Sequence, residues 1–396
     1  MAFEQTWRWF GPHDPITLKE IKQTGATGIV TALHHVPVGD IWTVGEILTR
    51  KRVIEAEGLT WSVAESLPVH EDIKRRTGAW RELVANYQCS LRNLGACGVG
   101  TVCYNFMPVL DWSRTDLEVE FPDGSITTRF EQKVLTAFDL FLLKRPGAES
   151  SYTDAQQDEA RQFYGRLDEH KRRRLAETVL LGFPGSGEAY TLDGLRAALG
   201  TYAQIDESRL RQNLHDFLKD VIPAAMESGV MMAIHPDDPP WPLLGLPRVV
   251  SNARDIERLL AVVDAPANGI TLCTGSFGAS TGNDLVAMAR RFSRRVNFVH
   301  LRNVTRDAGG NFLEANHLEG DIDMFGVMKA LLLEQNRRTA EHPGSRQMPM
   351  RPDHGHLMLP DRNRPNVYPG YSLFGRMRGL AELRGMELGI RRALGL

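Results

Sequence analysis

Cysteine is scarce in this chain: four residues (Cys89, Cys97, Cys103, Cys273) among 396, with no pair in CxxC spacing. So few thiols make no disulfide framework, and a reducing cytoplasm is the expected location. Net charge is nearly absent too. The 47 basic and 49 acidic residues leave −2, a balance that argues against nucleic-acid and membrane-surface partners. No apolar run approaches the ~18 residues of a membrane span, and MAFEQTWRWFGPHD lacks the charged-then-apolar order of a secretory signal. A glycine-rich phosphate fingerprint is missing after the first strand-like segment, which weakens an open doubly wound sheet. There is no internal repeat and no low-complexity tract.

What is present is an alternation of strand and helix. QTWRWF (5–10), GIVTAL (28–33), TWSVAES (60–66) and GTVCYNF (100–106) read as strands. Between them, Asp14-Pro15 reads as a helix start, Thr43 and Glu46 have capping-box spacing, and Trp80, Leu83, Val84, Tyr87, Leu91 and Leu94 keep a helical face. Four more strand-like segments follow: MMAIHPDD, GITLCTGS, VNFVHLRN and QMPMRPDHG. Ser251 and either Asn283 or Asp284 are placed to cap the helices between them. Eight strands close a ring, so the expected fold is α/β, a (β/α)8 TIM barrel forming one domain over 1–396. Roughly 120 residues separate strands four and five, far more than a usual connection. Residues 112–206 of that stretch are read as a helical insertion over the barrel mouth, with helices across Phe130–Leu143 and Asp154–Leu181. After the seventh strand, Gly309-Gly310 suggests a hairpin turn, and Asp321 is either the cap of the helix through Met328 or a substrate contact.

The last four strands share one feature: each ends in a residue that can hold a metal. These are His235, Cys273, His300 and Asp353. The ends of parallel barrel strands converge on one face, so the four should meet, and two imidazoles, a thiolate and a carboxylate suit a divalent first-row transition metal. Trp112, Arg114, Arg302, Asn303, His354 and Tyr371 are expected on the same face, with His317 in the segment after strand seven. Arg302 lies two residues past His300 and should point the same way, where its planar fork could grip a carboxylate.

TWRWFGPHD, GATGIVTALHHVP, PVLDWSRTDL, HPDDPP, NFVHLRNV and RPDHG followed by PGYSLFGR resemble the mannonate dehydratase family over almost the full length. The resemblance implies a xylose-isomerase-like barrel that converts D-mannonate to 2-dehydro-3-deoxy-D-gluconate and water in hexuronate breakdown, with Mn(II) or Fe(II). It carries the metal ligands onto His235, Cys273, His300 and Asp353, and an acid/base pair onto His354 and a C-terminal tyrosine, for which Tyr371 matches better than Tyr368. Tyr371 is expected as the base at C2 and His354 as the acid at C3, with the reverse assignment open. Substrate contacts are expected from Trp112, Arg114, Arg302, Asn303 and His317, and the chain is expected to form a homo-oligomer. A metal-dependent sugar isomerase and a metal-dependent nucleic-acid repair hydrolase are the alternatives. The thiolate ligand argues against the first, and the charge balance against the second.

Overall fold

Strands buried on both faces need apolar residues at nearly every position, and the segments that satisfy this form the wall of a closed barrel. The computed structural model describes residues 2–181 and 191–396. Its strands are β1 (Glu4–Arg8), β2 (Gly28–Thr31), β3 (Thr60–Glu65), β4 (Thr101–Tyr104), β5 (Asp116–Glu120), β6 (Ile126–Phe130), β7 (Met231–Ile234), β8 (Asn268–Cys273), β9 (Val296–Leu301), β10 (Asn303–Arg306), β11 (Phe312–Ala315) and β12 (Pro349–Pro352). Eight of these, in the order β1-β2-β3-β4-β7-β8-β9-β12 and back to β1, make the parallel barrel. They coincide with the eight segments read from the sequence. Every residue of β2, β4, β8, β9 and β12 is buried.

The four remaining strands form an antiparallel sheet, β10-β11-β6-β5. The expected insertion is therefore not helical throughout: it opens with the β5–β6 hairpin. DLEVE and ITTRF alternate and flank Asp123-Gly124, a hairpin signal, and Gly124 adopts φ +79°. Helices take over from Gln132, in Gln132–Ala137, Asp154–Gly165, Glu169–Leu180 and Leu192–Gly200. A π-helical turn, Phe138–Leu143, continues the first. The helix expected over 154–181 is broken at 166–168, where Asp168 caps a new one. Residues 182–190 of the expected insertion lie outside the described residues.

Several helix starts fall one to three residues from their expected place because a neighbouring side chain reaches the free amides better. Thr17, not Asp14, caps the first helix and forms a capping box with Glu20; Asp14 accepts from Phe10 N and Ile16 N instead. Asn252 replaces Ser251. Asp323 replaces Asp321, which accepts from Arg306 N. Thr43 with Glu46, and Asp284, cap as read. Among the described residues no helix is long and apolar enough to cross a membrane.

The helix Trp80–Ala96 packs close to the end of the helix Glu207–Glu227, and a Cβ on Gly95 would overlap the Ser228 carbonyl oxygen. Backbone cannot step aside as a flexible side chain does. Gly95→Ala should therefore cost about 1–3 kcal/mol of stability, read as a lower urea midpoint at unchanged m-value.

Candidate active site

Cys273 is the last residue of β8 and lies directly opposite His300 of β9 in the parallel ladder. His235 is the first residue past β7, and its backbone N–H bonds to Tyr104 O at 2.6 Å, which extends the β4–β7 ladder by one residue. One donor atom from each of His235, Cys273 and His300 lies within 4.8 Å of the others. Asp353, the first residue past β12, brings Oδ2 to 3.7 Å from Cys273 Sγ and 3.8 Å from His300 Nδ1. The four residues expected to converge do so.

The donor set fits a divalent transition metal. His235 Nδ1 is 2.7 Å from the Pro236 carbonyl and can only donate to it, which leaves Nε2 with a lone pair. His300 Nδ1 is buried without a hydrogen-bond partner. Its Nε2 meets two groups that ask for opposite tautomers, the donor Arg351 Nε at 3.1 Å and the acceptor Glu65 Oε1 at 3.4 Å. A cation at Nδ1 would select the form that donates to Glu65. Burial and Asp353 push the Cys273 thiol up to about 12, so without a cation it keeps its proton.

Both expected carboxylate-gripping arginines face inward. Arg302 donates from Nε and Nη2 to Glu314 at 2.7 Å each, and from Nη1 to Asp238 at 2.6 Å. Arg114 reaches Asp238 Oδ1 at 3.0 Å and Glu314 Oε1 at 2.6 Å. All four groups are buried. Burial pushes the Asp238 and Glu314 carboxyls up, but the arginines more than offset it and hold both well below the usual range. The forks of Arg302 and Arg114 thus hold internal carboxylates, and Arg114 Nε is buried without a partner. Asn303 is also turned inward, with Nδ2 donating to His317 O and Oδ1 accepting from Ile322 N.

His354, Tyr371, Trp112 and His317 remain. The His354 and Tyr371 rings are 5.2 Å apart and T-shaped, with 75° between their planes, and Trp112 meets His354 edge-on at 6.3 Å. Gly370, at φ +81°, makes this turn possible, since a Cβ there would stand 3.2 Å from the His354 ring. Tyr368 instead packs on Phe10 and is only partly buried. His354 Nδ1 lies 3.3 Å from Glu314 Oε1, within ion-pair distance but at an angle that makes no hydrogen bond. Burial and Asp353 push the Tyr371 phenol up, and Arg351 and Arg8 offset this only in part. Burial pushes His317 down to about 4, and its Nε2, like Trp112 Nε1, is buried without a partner.

Four charged residues beside the site escaped the sequence reading: Asp238, Glu314, Glu65 and Arg351. Arg351 pairs with both Asp353 and Glu65. Burial opposes ionisation of Glu65, yet Arg351, His300 and Arg8 bring it down to about 2. For Glu65 a signal existed, a carboxylate ending an apolar barrel strand; Glu314 sits in the β10–β11 hairpin that Gly309-Gly310 marks as expected, but nothing in the sequence showed which side chains it meets.

The family model described as D-mannonate dehydratase (UxuA) matches residues 3–394. The chain belongs to the D-mannonate dehydratase family. It is 56% identical over 389 residues to the mannonate dehydratase of Chromohalobacter salexigens, covering 98% of this chain and 99% of that one. Identity to the Marinomonas sp. mannonate dehydratase is 54% over 392 residues, covering 99% and 100%. Among solved structures, mannonate dehydratase from Streptococcus suis serotype 2 superposes with a TM-score of 0.80 at 36% identity, covering 100% of this chain and 97% of that one. A xylose isomerase-like TIM barrel protein from Mycobacterium smegmatis shares the fold at TM-score 0.52 and 11% identity, with 98% and 97% covered.

Two outcomes follow from this geometry. Glu314→Gln leaves Arg114 and Arg302 with one carboxylate between them, and should cost about 3–5 kcal/mol of stability, measured by denaturant unfolding. Cys273→Ser should fold normally and hold a divalent transition metal far more weakly, because a neutral hydroxyl replaces a soft thiolate; metal analysis after dialysis reads this directly.

Proposed function

We propose that this family member dehydrates D-mannonate to 2-dehydro-3-deoxy-D-gluconate and water, a step of hexuronate breakdown, with Mn(II) or Fe(II) held by His235, Cys273, His300 and Asp353. The observation that carries this reading is the meeting of that N/S/O donor set with a T-shaped imidazole–phenol pair, His354 and Tyr371, 5.2 Å apart. The cation, when bound, supplies positive charge for the substrate carboxylate and for the electron density that builds on it as C2 loses its proton.

The residues divide the proton transfers. A base at C2 needs a free lone pair and a group behind it that orients the ring. His354 has both: Nδ1 faces the Glu314 carboxylate, kept ionised by Arg302 and Arg114, so Nε2 is left to take the proton. An acid at C3 needs to hold its proton until the hydroxyl leaves. Burial and Asp353 favour the protonated phenol of Tyr371, which can give its proton to the departing oxygen. This reverses the roles expected from the sequence. The C2–H and C3–O bonds break, water leaves, and the enol product becomes the 2-keto acid. Trp112 Nε1, Arg114 Nε and His317 Nε2, buried and unpartnered, are the groups available to substrate hydroxyls among the five residues expected as contacts.

A 3-deoxy analogue of the substrate separates the two transfers, because it can exchange its C2 proton in deuterated water but cannot dehydrate. Tyr371→Phe should retain exchange and His354→Asn should lose it. The opposite pattern restores Tyr371 as the base, and exchange by both variants removes the pair from C2 chemistry.

A further inference from the structure

The barrel rim divides into two contiguous halves. All four metal-type donors come from β7, β8, β9 and β12, whereas the ends of β1, β2, β3 and β4 surround a cavity of about 380 Å³, within the range of small-ligand pockets. Arg8, His34, Trp42, Ser66, Asn105 and Asp111 are among its walls. The two halves touch. Asn105 and His235 are the first residues past the neighbouring strands β4 and β7, and Arg8 pairs with Glu65, whose Oε1 is 3.4 Å from His300 Nε2.

The cavity's charges identify which end of a sugar acid it suits. Its cations are already matched, Arg8 to Glu65 at 3.4 Å and Lys74 to Glu71 at 2.6 Å. What faces the space is an acceptor pair: Asp111 Oδ2 accepts from Asn105 Nδ2 at 3.0 Å, and neither Asp111 Oδ1 nor Asn105 Oδ1 takes a hydrogen bond among the described residues. A second carboxylate placed there would meet Asp111. Hydroxyl groups would find two unfilled acceptors. Burial pushes the Asp111 carboxyl up, as happens when few donors replace the water a carboxylate has lost; substrate hydroxyls would supply them. His34, pushed down to about 3 by burial and the nearby Arg8 and Arg50, adds no positive charge at neutral pH.

We propose that the cavity over β1–β4 binds the uncharged polyol end of the substrate, the C5 and C6 hydroxyls, with Asn105 and Asp111 as the acceptors that set chain-length specificity. The proposal rests on the dehydration reading, which places the carboxylate end at the opposite half of the rim. Asp111 and Asn105 thus act on substrate binding, away from the C2 and C3 bonds.

The test pairs D-mannonate with a four-carbon aldonic acid of the same C2 and C3 configuration, which lacks C5 and C6. Wild-type enzyme loaded with Mn(II) should strongly prefer the six-carbon acid. Asp111→Ala and Asn105→Ala should each lower kcat/KM for D-mannonate roughly 10- to 100-fold, the scale of a lost hydrogen bond to a charged group, mostly through KM, and change kcat/KM for the short acid less than twofold. Calorimetry with the 3-deoxy forms of both acids should show the same split in affinity without turnover. Asp111→Asn, which keeps the side chain's shape, serves if the alanine variant folds poorly. Equal losses on both acids, no loss on D-mannonate, or a wild type indifferent to chain length would each overturn the proposal. A wild type that converts neither acid would instead refute the dehydration reading, and the polyol site with it.

Discussion

Asp238 and Glu314 each lie between the guanidiniums of Arg114 and Arg302, so four buried charges alternate in sign around one small ring. Any one of them alone would carry a desolvation penalty of several kcal/mol. Together they cancel, and each carboxylate receives hydrogen bonds from both arginines. The four side chains come from separate parts of the chain: the connection after β4, the loop after β7, the end of β9, and β11. The ring therefore ties the inserted hairpin and the antiparallel sheet to the barrel rim, and its geometry can form only when all four segments are in place.

That ring also bears on the chemistry. Glu314 lies beside His354 Nδ1, and Arg302 and Arg114 help to keep it ionised. Two proton-carrying groups 5.2 Å apart are thereby given different surroundings. His354 has a carboxylate behind it, while Tyr371 is packed among Phe10, Arg376 and the barrel wall. A difference in environment is what separates an acid from a base when both sit over one substrate.

The barrel was legible because its strands carry their signal locally: near-continuous apolar runs of four to six residues, punctuated by glycine or a cap. The donor set was legible for the same reason, since His235, Cys273, His300 and Asp353 sit at equivalent ends of successive strands. Arg302 shows the limit. Its side of the strand was readable from alternation, but its partner was not, because Glu314 lies 12 residues away in a hairpin and Asp238 lies 64 residues away. The β5–β6 hairpin was missed although Asp123-Gly124 marks it, because only two short strands surround the turn and their partner, β11, is nearly 200 residues distant. Helix caps moved by one to three residues where a second candidate lay close by, as with Ser251 and Asn252. A choice between adjacent hydroxyl and amide side chains is settled by backbone angles, which composition does not record.

The pairing of Cys273 with His300 across β8 and β9 bears on how readily a cation could enter. Neighbouring strands lie about 4.8 Å apart, and two bonds of roughly 2.0–2.3 Å to a shared ion at the tetrahedral angle set their donor atoms about 3.5 Å apart. The peptide ladder thus already holds the two residues side by side, with donor atoms within 4.8 Å of each other, so that small side-chain rotations would close the site. Little of the binding energy would be diverted into moving main chain, and the ion could be exchanged while the fold stays as it is.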